Sequence, residues 1–101
     1  MVCGDNLLER DIMNAFSSDL LSDVLTINKA GIMLITGVAN LQTIRTAEMA
    51  EVSCVLLARN KKANDEMVRL ANDNRLVILE SPQSMFGISG KLYQAGIKPL
   101  Y

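Results

Sequence analysis

Three short apolar runs, set at one interval, constrain this chain more than anything else in it. They are Ile32-Met33-Leu34-Ile35-Thr36, Cys54-Val55-Leu56-Leu57-Ala58 and Leu76-Val77-Ile78-Leu79-Glu80, beginning at positions 32, 54 and 76, an interval of 22 each time. Each run is continuously apolar rather than alternating. A strand with one wet face alternates, whereas a strand covered by helices on both faces does not. The runs therefore predict parallel strands inside a layered α/β domain. A polar turn and a helical pattern follow each run, so the interval is the length of one βα unit. Crossovers between successive parallel strands are expected to be right-handed.

The helices can be placed from their caps and apolar spacing. Asn40 can cap a helix reaching about Val52, with Leu41, Ile44, Ala47 and Met49 or Ala50 turned inward. Asn64 or Asp65 can cap a second helix ending near Asn74, with Met67, Leu70 and Ala71 inward. Asp65 and Glu66 suit the positive end of its dipole. Ser81-Pro82-Gln83-Ser84 makes a turn and a cap, and a third helix runs from about Met85 to Gln94, stopping at Gly96 with Pro99 beyond. Gly87 and Gly90 inside it weaken the helix or admit a close neighbour. Ahead of the repeats, Ile12–Ser17 reads as a strand and Asp19 to Asn28 as a helix, with Leu20, Leu21, Val24 and Leu25 on one side. Val2-Cys3 is a candidate edge strand. No linker or low-complexity stretch divides the chain, so residues 1–101 are expected to form one α/β domain.

Composition narrows the function classes. A chain of 101 residues can bury one real core. Ten basic residues against eleven acidic ones give a net charge of -1, which provides no basic excess for nucleic acid or an anionic membrane. There is no histidine, which excludes Ser-His-Asp and Cys-His catalysis and imidazole-bound zinc. Cys3 and Cys54 lack CxxC spacing; Cys54 lies in an apolar run and reads as packing, while the role of Cys3 stays open. Residues 1–20 carry Asp5, Glu9, Arg10, Asp11 and Asp19, so no secretory hydrophobic segment is read there. The longest apolar run is far short of the roughly 20 residues that span a bilayer. A cytoplasmic protein with reduced thiols is expected. Six methionines among few aromatics point to adaptable core filling, or else to an apolar interface.

In open α/β sheets, ligands bind beyond the carboxyl ends of the strands. The candidate contacts on that rim are Ser18, Asp19, Asp23, Thr36, Gly37, Asn40, Arg59, Asn60 and Ser84. Hydroxyls, amides and an arginine suit a small polar or anionic ligand better than an acid–base reaction. The same residues are also what ordinary caps and turns require. Asp19 and Asp23, four apart, would share a helix face, where they could meet a cation or simply form a solvated helix start. Thr36-Gly37 is not a phosphate loop, because neither GxxxxGK[ST] nor GxGxxG occurs. Arg59-Asn60-Lys61-Lys62 is the densest basic run; it could attract a phosphate or be a solvated loop. No nucleophile–base constellation is identifiable, so neither catalysis nor a cofactor or metal is expected.

Taken in order, the strings SDLLSDVL, LITGVANLQTIRTAEMAEV, VLLARNKKANDEMVRLANDNRLVILESPQSMF and SGKLYQAGI cover nearly the whole chain. On these strings the chain resembles the DRTGG domain family. That family is similar to the N-terminal domain of HPr kinase/phosphorylase, and it also occurs beside phosphotransacetylase domains and between CBS domains. The resemblance implies a three-layer α/β/α fold with a mixed, mostly parallel sheet of about four or five strands. It implies a homodimer, and a regulatory or ligand-sensing role beside a partner enzyme without catalysis of its own. Where relatives often carry Thr-Gly-Gly after the second repeat strand, this chain has Ala58-Arg59-Asn60. Arg59 and Asn60 would place side chains where glycines admit a ligand to the backbone. Thr36-Gly37 keeps the first strand's Thr-Gly turn. A homodimeric interaction module without a small ligand is the competing expectation.

Overall fold

The computed structural model describes residues 14–19, 24–25 and 31–99. Three of the strands are the cores of the three apolar runs. In chain order the elements are β1 (Asn14–Ser17), β2 (Met33–Thr36), α1 (Leu41–Met49), β3 (Cys54–Leu57), α2 (Asp65–Asp73), β4 (Val77–Glu80), α3 (Met85–Gln94) and β5 (Lys98–Pro99). The strands form a five-stranded sheet in the order β4-β3-β2-β1-β5. Every pairing in it is parallel. The α/β class and the parallel sheet are therefore as the apolar runs predict.

Alternate residues of each strand serve opposite faces. Phe16, Leu34, Val55 and Ile78 lie in register across four strands. They meet Ile44 and Ala47 of α1 and Met67 and Ala71 of α2 on one face. Ala15, Met33, Cys54 and Val77 form the neighbouring row. That row packs with Ile88 and Leu92 of α3 on the other face. The result is three layers, with two described helices on one side and one on the other.

The caps form largely as read. Asn40 and Asn64 accept the Thr43 and Met67 N–H groups, each at 2.9 Å, and Ser84 accepts Gly87 N–H at 3.1 Å. α3 continues through Gly87 and Gly90 and ends where Gly96 takes a φ of +103°, a conformation that suits glycine. Three details differ from expectation. α1 buries Thr43 and Thr46 beside Ile44 and Ala47, which turns Met49 outward at 71% exposure. Val24 is buried, but Leu25 beside it is about half exposed rather than sharing its side. β5 was not foreseen: a two-residue Lys-Pro strand has no apolar run to mark it. It pairs with β1 at the sheet edge, where a proline is tolerated because no ladder N–H is needed on the outer side. The expected strand at Val2-Cys3, and most of the helix read from Asp19 to Asn28, lie outside the described residues.

Candidate functional site

The strand order sets the loops after β1, β2 and β3 side by side at the carboxyl end of the sheet. Asp19 follows β1, Thr36-Gly37 closes β2, and Arg59 follows β3. The Asp19 carboxylate draws the three loops together. Its Oδ1 accepts the Gly37 N–H at 2.6 Å and the Thr36 hydroxyl at 3.2 Å. Its Oδ2 lies 3.5 Å from Nη2 of Arg59. Thr36 is fully buried, and its Oγ1 also accepts the Val38 N–H at 3.2 Å.

Arg59 reaches this position through an unusual backbone. Arg59 and Asn60 have φ of +57° and +61°, and the Lys61 N–H bonds the Ala58 carbonyl at 3.2 Å. Two successive positive φ values closed by an i to i+3 bond are the signature of a type I′ turn, which favours Asn and Gly. Asn60 suits it. For Arg59 the left-handed conformation costs about 1–2 kcal/mol. A Cβ added at Gly37 would overlap the Arg59 guanidinium, so a side chain there would displace the arginine from its place over the Gly37 backbone.

The crevice between β3 and β4 is where an open sheet of this kind usually admits ligand, since the chain leaves β3 toward one face and β4 toward the other. Here backbone bonds bridge it. Arg59 N–H donates to Gln83 O at 2.7 Å, Asn60 N–H to Ser81 O at 2.8 Å, and Ser81 N–H to Leu57 O at 2.9 Å. Glu80, which the sequence reading passed over, braces the same loop. It accepts the Ala63 N–H at 2.8 Å and pairs with Lys62 at 3.6 Å. A carboxylate ending an otherwise apolar strand was the available signal.

Of the nine rim candidates, Asp19, Thr36, Gly37 and Arg59 form one polar cluster. Ser18 adjoins it through its backbone, donating to Ile35 O at 3.0 Å. Asn40 and Ser84 are helix caps, and Asn60 is the second turn residue. Asp23 lies outside the described residues. Two members of the basic run, Arg59 and Lys62, are each paired with a carboxylate. Among the described residues no His, Cys, Asp and Glu cluster could hold a metal, and no helix is long and apolar enough to cross a membrane. No buried side-chain polar atom among them lacks a hydrogen bond. Away from the rim, Leu41, Arg45, Glu66, Arg69, Leu70 and Asp73 line a shallow groove of about 290 Å³ between α1 and α2.

Comparisons with protein-family models, with curated proteins and with solved structures each give no match.

Proposed function

We propose that this chain is a non-catalytic, DRTGG-like sensing module. It takes a small polar or anionic metabolite at the strand-end rim and passes its bound state to a partner protein in the cytoplasm. The supporting observation is the convergence of Asp19, Thr36, Gly37 and Arg59 from three successive strand ends, with Arg59 delivered through a left-handed turn. Costly backbone conformations persist where surrounding structure over-determines them, and they concentrate at ligand sites. The Ala58-Arg59-Asn60 turn offers a guanidinium where glycine-bearing relatives offer bare backbone. A ligand here would therefore be recognised by charge. Thermal-shift screening against nucleotides and central metabolites tests the proposal. A binder at a hundred times its dissociation constant adds about 2.7 kcal/mol of stability. That gain should vanish in Arg59→Ala. A panel with no hit, on protein shown to be folded, would defeat it.

A second reading rests on a different observation. Phe86 and Tyr93, seven residues apart and so on one side of α3, are 90% and 64% exposed. A large apolar side chain left this bare suits a homodimeric interaction module. That reading predicts a dimer by light scattering and no small-molecule response.

A further inference from the structure

We infer that Asp19 is a built-in occupant of a carboxylate-binding cradle, so that an external carboxylate ligand must displace it. The inference rests on the rim reading above and adds to it the ligand class and the means of regulation. Among the described residues, the groups that contact the Asp19 carboxylate are all donors: the Gly37 N–H, the Thr36 hydroxyl and the Arg59 guanidinium. They engage both of its oxygens, one through the N–H and hydroxyl, the other through the arginine. This is the arrangement a free carboxylate would meet, and Asp19 is the acceptor that fills it.

The pair is also placed for exchange rather than for support. The Asp19 and Arg59 side chains are 45% and 55% exposed, so solvent and solutes reach both. Exposed ion pairs contribute little to stability. The backbone of Arg59 is fixed in a left-handed turn by the Gln83 and Ser81 carbonyls, and its guanidinium lies over Gly37, in the space a Cβ at 37 would enter. Asp19 stands two residues beyond β1, which makes it a tethered competitor. A group on so short a tether acts at an effective concentration of roughly millimolar order. A free ligand therefore sees a cradle open only part of the time, and its apparent affinity falls by that fraction.

Removing Asp19 should reveal the cradle. Asp19→Ala, the unaltered protein and the Asp19→Ala/Arg59→Ala double variant would be melted in rising sodium acetate, with sodium chloride at equal ionic strength as the reference. Asp19→Ala should gain about 5 °C over its chloride reference once acetate reaches ten times its dissociation constant. The unaltered protein should move less at the same concentrations, and the double variant should show no acetate-specific shift. Inorganic phosphate, run in parallel, distinguishes a carboxylate cradle from a general anion site. An equal or larger phosphate response would overturn the carboxylate assignment. If Asp19→Ala does not fold, Asp19→Asn keeps the side-chain volume without the charge, and it should give a smaller shift of the same sign. An Asp19 variant that responds to acetate no more than the unaltered protein would overturn the inference. So would a metabolite that binds the unaltered protein at the rim and binds the Asp19 variant no more tightly, although the sensing role would then stand.

Discussion

The two faces of the sheet are built from the same four-residue strands, yet they are covered differently. On one face α1 and α2 lie over a cluster that includes Leu34, Val55, Leu57 and Ile78, all fully buried. On the other, α3 is the one described helix that packs on Met33, Ile35, Cys54, Leu56 and Val77, through Ile88 and Leu92, while its outer side leaves Phe86 and Tyr93 bare. Because adjacent strand residues point to opposite faces, the difference can be read at neighbouring positions in one strand. The doubly covered face anchors the fold. On the second face the exposed apolar side chains among the described residues of α3 are Phe86 and Tyr93, on its outer side.

The largest test compares Leu34→Ala with Ile35→Ala. Both side chains are buried to within 1%. Truncations of this kind cost about 2–5 kcal/mol, according to how far the surroundings can collapse. Leu34, fixed beneath two described helices, should lie near the top of that range, and Ile35, beneath one described helix, about 1 kcal/mol lower. Chemical denaturation measures both, and a greater loss at Ile35 would break the comparison. A smaller effect is expected at the helix starts. Asn40, which caps α1 by accepting the Thr43 N–H, should cost about 1–2 kcal/mol on changing to Ala. Ser84, the exposed cap of α3, should lose about 0.5 kcal/mol. The smallest effect on stability belongs to Phe86→Ser. At 90% exposure it should change monomer stability by less than about 0.5 kcal/mol. If the outer side of α3 joins two copies, light scattering should show the mass of Phe86→Ser fall from dimer to monomer. An unchanged mass would leave that side without an assembly role.

The three βα units were legible because each apolar run is long enough to be a buried strand and each helix opens on an Asn or Ser cap. The face that α1 turns to the sheet was less legible. Thr43 and Thr46 look polar in the sequence, but Thr43 donates to Val38 O at 2.8 Å and Thr46 accepts from Gln42, so both are buried at no polar loss. β5 left no signal, since its pairing joins Ala15 to Pro99, far beyond any local pattern. At the rim, strand-end position alone pointed to Asp19, Thr36, Gly37 and Arg59. Their convergence could not be read, because it depends on the lateral order of β1, β2 and β3. It depends equally on a left-handed arginine that propensity argues against.

The late pairing of β5 also bears on how the chain comes together during synthesis. β1, β2, β3 and β4 can add to one another in the order they emerge, each beside the one before. The free side of β1 has to wait for residues 98–99. Until they arrive, a nascent chain lacks the pairing of β1 with β5 that the finished sheet has. Open edges are templates for pairing with the wrong chain. At this side of the sheet, the hazard of misassembly lasts from translation of β1 to the arrival of Lys98-Pro99.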